Sequence, residues 1–424
     1  MKIAIVGSGI AGNVAAYHLC KEHDITVFEA GDHIGGHTHT HDIDWGGTHY
    51  AVDTGFIVFN YATYPHFTQL LHELEVPVQA SDMSFSVKSE DGALEYNGSS
   101  LNTLFAQRSN LFSPSFLRML RDVMRFNREA AALVGRGDLV TTLGEFLQAG
   151  RFSREFIEHY LIPMASAIWS ADPARMRQFP VGFLIRFFHN HGLLSISQRP
   201  QWYVIQGGSR EYVRKLTAPF AGRVRIGCPV ERITRHATHV TVKPAGQEPE
   251  RFDQVFIAAH SDQALRMLAD PSPAEREVLG AIPYQVNEAV LHTDCDILPR
   301  RRRAWAAWNY HLLPAEHGRV PVTYNMNILQ GLSAPVQFCV TLNNSKRIDP
   351  GRVLKRITYH HPVFTPEGIA AQQRHRELNG ANRTYYCGAY WRHGFHEDGV
   401  VSALDALSHF REQTHEQLPL RRAS

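Results

Sequence analysis

Residues 3–29 constrain this chain more than any other stretch. Ile3 to Val6 is a short apolar run ending in Gly7-Ser8-Gly9-Ile10-Ala11-Gly12. Asn13 to Leu19 then carries apolar residues at helical spacing, and Ile25-Thr26-Val27-Phe28 reads as a second strand finishing at Glu29. Strand, glycine turn, helix, strand and acid in this order predict a βαβ unit that holds a dinucleotide. Gly7 permits the tight turn, Gly9 lets the backbone approach a pyrophosphate, and Gly12 brings helix onto strand. The helix N-terminus offers unpaired N–H groups to phosphates. Glu29, 22 residues after Gly7, is placed to accept from a ribose hydroxyl. An acid rather than an arginine here argues against a 2′-phosphate, leaving FAD or NAD.

Composition narrows the class. The chain has 424 residues, enough for two or three domains. Its 43 Lys+Arg against 41 Asp+Glu provide no global field for nucleic acid. Only seven basic residues are lysines, so the positive charge is mostly arginine, suited to fixed hydrogen-bond forks. Five scattered cysteines without CxxC spacing indicate neither a disulfide framework nor a zinc site. Apolar runs fall short of the ~18 residues that span a bilayer, and the glycine loop begins too early for a signal peptide. The expectation is a soluble, cytoplasmic protein.

Gly35-Gly36-His37 and Asp53-Thr54-Gly55-Phe56 separate the two cofactors, since a plain NAD domain needs no second glycine pair. With GxGxxG, the acid, this pair and Asp-x-Gly, the chain resembles the amine-oxidase-like flavoprotein superfamily. His37 stands where most members carry arginine. His37, His39 and His41 alternate with threonines, so on a strand they would share one face; a hydrogen-bonded strand edge is favoured there over a metal site. The resemblance implies an α/β fold: a glutathione-reductase-type, Rossmann-like FAD-binding domain with a discontinuous α+β substrate domain. The expected FAD domain comprises 1–80, 205–285 and 380–424, and the substrate domain 81–204 and 286–379. FAD contacts are expected from Gly7, Gly9, Ile10, Ala11, Gly12, Glu29, Ala30, Gly36, His37, Thr54, Gly55 and Phe56. Later contacts are expected from Val230, through its main chain to adenine, and from Gly388, Asp398, Gly399 and Val400. A helix beginning near Gly399 would direct its electropositive end at the flavin.

In the middle, Phe116, Leu117, Met119, Leu120, Val123, Met124 and Phe126 form a helical apolar stripe interleaved with Arg118, Arg121, Arg125 and Arg128. Ordinary helix cores with solvated arginines are favoured; the alternative is a basic-aromatic surface resting on an anionic membrane. Arg300-Arg301-Arg302-Arg303 with Trp305 and Trp308 adds to that alternative.

Longer motifs sharpen the resemblance: Arg199-Pro200-Gln201-Trp202, Gly207-Gly208-Ser209-Arg210, Thr323-Tyr324-Asn325, His361-Pro362-Val363-Phe364 and Cys387-Gly388-Ala389-Tyr390-Trp391. They are similar to FAD-binding proteins resembling the N-terminal portion of plant cyclopropane-fatty-acid synthases, whose bacterial members are linked to cyclopropane-synthase-like methyltransferases and furan fatty acids. This implies desaturation of an unsaturated acyl chain of a phospholipid, with a methyltransferase as partner; the basic-aromatic surface, if it meets a membrane, would add a peripheral position on the inner membrane face. The alternatives are a flavin amine oxidase and a non-catalytic FAD-containing partner. Tyr386, Tyr390 and Trp391 are candidate pocket rings. Lys346 and Lys355, the late lysines, read as surface residues. Candidate bases are His360, His361, His393 and His396, with His396 first because it precedes the flavin-facing helix. Glu397 is a candidate pyrophosphate-side capping group.

Overall fold

The computed structural model describes residues 1–135, 140–195, 199–313 and 321–414. The expected C-terminal stretch 415–424 of the FAD domain lies outside them. The first strand, Lys2–Val6, sits at the centre of a five-stranded, all-parallel sheet in the order Val224–Arg225, Asp24–Phe28, Lys2–Val6, Gln254–Ile257, Thr384–Tyr386. A parallel sheet is covered on both faces, and the alternation of side chains along a strand distributes them between two cores. Ile3 and Ile5 enter the core shared with helix Ile10–Leu19 and the C-terminal helix His396–Thr414. Ala4 and Val6 enter the opposite core, which includes Ile233 and Val242 of a three-stranded antiparallel sheet.

A seven-stranded sheet forms the second body, in the order Val353–Pro362, Tyr284–His292, Cys339–Leu342, Val322–Asn325, Trp308–Leu312, Phe85–Ser89, Glu95–Asn97. Only the Trp308–Leu312/Phe85–Ser89 pair is parallel. The helices Pro114–Ala131, Ile162–Trp169 and Val181–Asn190 bury Phe126, Leu184 and Phe188 in the same core as Leu291 and Val340 of this sheet. The architecture is the α/β, Rossmann-like domain with a discontinuous α+β partner. Two details differ from the expected boundaries. Tyr284–His292 runs unbroken across residue 285, and Trp202–Ile205 pairs with both Phe59–Asn60 and Val78–Ser81, joining segments expected to belong to different domains. Among the described residues, no helix is long and apolar enough to cross a membrane.

Candidate functional site

A cavity of about 1640 Å³ runs from the glycine turn to the seven-stranded sheet. That exceeds the roughly 300–1,000 Å³ of an ordinary single-ligand pocket, so it has room for a cofactor and a substrate.

One end is made of backbone. Gly7 has φ +101°, and a Cβ there would lie 2.7 Å from the Ala258 carbonyl oxygen. A Cβ on Gly12 would lie 1.9 Å from the Gly7 oxygen, so this glycine acts by helix–strand packing and does not line the cavity. Gly9, the N-cap of the first helix, faces the cavity and has no atom within 4 Å of where its Cβ would be. That free space beside a helix N-terminus is the cradle a pyrophosphate needs. Ile10, Ala11, Ala30 and Gly36 line the same end, with Val230 at the start of its strand. Glu29 also lines it; its carboxylate accepts from Ser8 N (2.8 Å), the Ser8 hydroxyl and Gly31 N (2.7 Å).

Thr54, Gly55 and Phe56 form the next stretch of wall. A Cβ on Gly55 would lie 2.1 Å from the His37 oxygen, so only glycine lets these two chains cross. The Thr54 hydroxyl meets the Tyr359 hydroxyl at 2.8 Å. Asp53, fully buried, clasps three parts of the molecule. It accepts from Ser209 N and Oγ, from Thr40 Oγ1 and from Gln330 Nε2. Burial raises its carboxyl to about 6 against these bonds. Asp53 was visible in the sequence only as part of a motif; Gln330 and Tyr359 carried no local signal.

Several expectations are corrected. His37 precedes the strand Thr40–Trp45 and leaves the other two histidines. Its ring lies 5.0 Å from Tyr359 and 5.3 Å from His361, while His39 stacks on His33 and approaches His41. Among the described residues, no group of three His, Cys, Asp or Glu could hold a metal. The C-terminal helix begins at His396, not near Gly399. Gly399 is its fourth residue, where a Cβ would fall 2.6 Å from Ile10 Cγ2, so it serves helix packing. Asp398 and Val400 are buried and do not line the cavity. The Asp398 carboxylate accepts from Phe395 N (2.8 Å), half of a capping box. Glu397 does not face the dinucleotide end; it caps helix Pro65–Glu73 by accepting from His66 N and Phe67 N. Tyr386 donates to Glu275 in the core and Trp391 is buried; of the three expected rings only Tyr390 reaches the cavity. Lys346 and Lys355 are exposed and line nothing.

The expected bases also differ from their assigned parts. His396 lines the cavity but stacks on Phe56 at 3.6 Å, and its Nε2 bonds the hydroxyls of Tyr212 (2.7 Å) and Thr38 (3.2 Å). Burial pushes it down to about 3. Its Nε2 and one ring face are committed to Tyr212, Thr38 and Phe56, which makes it a positioning residue. His361 Nδ1 meets Asn287 Nδ2 at 2.7 Å, while Asn287 Oδ1 accepts from Asn343 Nδ2 and Gln285 Nε2. Asn287 therefore donates to Nδ1, and the His361 proton resides on Nε2. His361 is a donor to the cavity, not an acceptor. His393 lines the cavity with Nδ1 buried and unpartnered, against Phe183 at 4.3 Å.

The far arm is apolar: Met164, Ile168 and Trp169 from one helix, Phe187 from another, and Leu329, Leu342, Ile357 and Phe364 around the sheet. Its rings include Trp308 and Tyr324. No lysine is among the described lining residues. The acids Glu29, Asp32 and Glu231 lie at the dinucleotide end, and Asp82 is exposed. Gly388 lines the cavity between the two ends.

The residues fit FAD. The free space at Gly9 suits a diphosphate. The comparisons agree with this geometry. The family model for flavin containing amine oxidoreductases matches residues 10–302, and the chain belongs to that family. It is 25% identical over 262 residues to the flavin-dependent L-tryptophan oxidase RebO of Lentzea aerocolonigenes, covering 57% of this chain and 54% of that protein. It is 43% identical over 74 residues to 1-hydroxycarotenoid 3,4-desaturase of a Flavobacterium, covering 17% and 14%. The chain thus spans about half the length, or less, of these curated relatives. Among solved structures it is similar in fold to a CLA-producing fatty acid isomerase from P. acnes (TM-score 0.69, 17% identity, 96% and 98% covered). Cyclohexylamine oxidase from Brevibacterium oxydans is similar too (0.70, 14%, 98% and 99%). The chain is thus a member of a flavin-containing oxidoreductase family with a cavity that fits FAD.

Proposed function

We propose that this oxidoreductase removes two hydrogens from an unsaturated fatty acyl chain of a phospholipid, on a route to furan or otherwise modified fatty acids. One observation carries the reading: the substrate arm is walled by aliphatic and aromatic side chains, with no lysine and with its carboxylates confined to the dinucleotide end and the exposed rim. A cationic amine would have to shed its hydration there without a counter-charge. An acyl chain gains by leaving water. Two of its likenesses bear the names of a fatty acid isomerase and a carotenoid desaturase, which support an apolar chain as substrate.

Bound FAD supplies the two-electron acceptor that no side chain provides. The protein's own contribution is position and proton handling. His396, locked between Phe56 and Tyr212, fixes the wall at Phe56. His361 offers an Nε2–H donor. His393 lines the same cavity, and burial pushes it down to about 3, holding it neutral. Its ring lies 5.8 Å from that of Phe187, which lines the apolar arm. The resemblance to the cyclopropane-synthase group extends the reading to a methyltransferase as partner.

Anaerobic mixing with detergent-dispersed unsaturated phospholipid tests it. The visible flavin band is expected to bleach, and mass spectrometry to show a lipid lighter by two hydrogens. Bleaching by amines alone would make the protein an amine oxidase. Bleaching by neither, with co-purification of a methyltransferase, would make it a non-catalytic partner.

A further inference from the structure

We propose that the surface of residues 101–128 docks on an anionic lipid bilayer and feeds an acyl chain into a second mouth of the cavity; this rests on the acyl-chain reading above. Isolated exposed apolar residues are ordinary, whereas clusters mark interaction sites. Of the ten large apolar side chains exposed among the described residues, five fall in these 28 positions: Leu101 (77% exposed), Leu111, Phe112 (87%), Leu117 and Met124.

The helix Pro114–Ala131 shows that this is organised. Phe116, Met119, Phe126 and Ala130 are buried on one face. Leu117, Arg121, Met124 and Arg128 recur at helical spacing on the opposite face, alternating apolar and cationic. Arg118 pairs with Glu155 at 2.8 Å, and Asp122 is turned into the core, so neither acid places free negative charge on that outer stripe. The turn Arg302–Ala304 packs against Leu101–Leu104 and brings the exposed Arg302 and Arg303 to that short helix, while Arg301 is held by Glu95 at 2.9 Å. Apolar side chains for the acyl boundary and arginines for headgroups are the two signals stable peripheral binding needs.

The position of the mouth links this surface to the site. The cavity reaches exposed residues in several places, among them Thr358 and His360 on the edge strand, Gly394, and two further groups. One is the dinucleotide end, at Asp32, Glu231 and Arg266; the other is at Asp82, Ser99 and Arg199. Ser99 follows the edge strand Glu95–Asn97 and stands two residues before Leu101. A chain drawn from a bilayer at Leu101 and Phe112 would enter an apolar arm without crossing bulk water.

The test is flotation of the whole flavin-loaded chain with phosphatidylglycerol or phosphatidylcholine vesicles. Binding to phosphatidylglycerol is expected, weakened by salt and about tenfold or more weaker on phosphatidylcholine. The double variant Leu101→Ser with Phe112→Ser should lose about tenfold or more of the binding. It should keep its flavin content, melting temperature and bleaching by detergent-dispersed lipid, because both side chains stand in solvent. Absence of binding to phosphatidylglycerol, or equal binding by the double variant, overturns the proposal. Vesicle binding without bleaching by any lipid would leave the surface standing and remove the acyl reading. Bleaching by dispersed lipid without vesicle binding would do the reverse.

Discussion

The two ends of the cavity are built in opposite ways. At the dinucleotide end the recognising groups are main-chain atoms and missing side chains, and Gly7, Gly9, Glu29 and Gly36 lie within 30 residues of one another. In the apolar arm the recognising groups are side chains, and Ile168, Leu329 and Ile357 come from segments up to about 190 residues apart. A backbone site is encoded by local spacing. A side-chain site is encoded by tertiary packing, and its shape changes when one wall residue changes.

The sharpest break of this contrast is a pair of glycine substitutions. In Gly12→Ala the new Cβ would meet the Gly7 oxygen at 1.9 Å and Ala258 Cβ at 3.1 Å, so the fold should lose on the order of 4 kcal/mol or more. Gly9→Ala meets no protein atom within 4 Å. It should melt within about 1 kcal/mol of the parent yet bind much less flavin, because its methyl occupies the cradle. Calorimetry of stripped protein and the ratio of flavin to protein absorbance read the two effects. A Gly9→Ala protein with full flavin content would mean that the ligand does not approach this backbone.

The second test addresses the side-chain end. Ile168→Trp adds a ring to the wall of the arm, where Ile168 is only partly buried. Flavin content should be retained, while reduction by an unsaturated phospholipid should slow by about tenfold or more, since overfilling a shaped site costs about 1–3 kcal/mol. Stopped-flow bleaching gives the rate. An unchanged rate would place the substrate elsewhere.

The same contrast governs what was legible. The βαβ unit was readable because turn, helix packing and acid all fall within one 27-residue window. The C-terminal helix was readable as an element but misplaced by three residues: Gly399 suggested a start, whereas Phe395, His396 and Asp398 form the actual one. Of the wall formed by Ile357, Tyr359 and His361, only His361 was readable, as a candidate residue. Their alternation looks like any strand, and only the pairing of Val353–Pro362 with Tyr284–His292 aims them at the cavity. Histidine roles were also hidden, because the partner that sets each tautomer or locks each ring lies far along the chain, as Tyr212 does from His396.

Charge offers a third test. Asp398 is buried, and burial first, then the neighbouring Glu397 charge, raises its carboxyl from 3.8 to about 7 against its bond from Phe395 N. A raised acid binds its proton more tightly folded than unfolded, so its stability contribution is fully present below about pH 4 and is lost as pH rises towards 7. Between about pH 5 and pH 8 the parent should therefore lose up to about 2–3 kcal/mol relative to Asp398→Asn. Melting temperatures of both proteins across that range read the difference. A difference flat with pH would show that Asp398 is not held protonated.

The smallest expected effect concerns His396, and it separates positioning from proton transfer. Its ring stacks on Phe56, and its Nε2 is shared between Tyr212 and Thr38. His396→Gln should cost about 1–2 kcal/mol of stability through a lost stack and an imperfect bond, and slow flavin reduction by no more than about threefold if the Phe56 wall shifts slightly. Because burial holds His396 near 3, its stability contribution is present above about pH 6.5 and disappears as pH falls towards 3. The pH profile of flavin reduction near neutrality should therefore keep its shape in the variant, whereas removal of a working base would flatten the limb that base controls. His393→Gln provides the counterpart: burial holds this ring near 3 as well, so its profile near neutrality should also keep its shape. A flattened limb in either variant would identify that histidine as the working base.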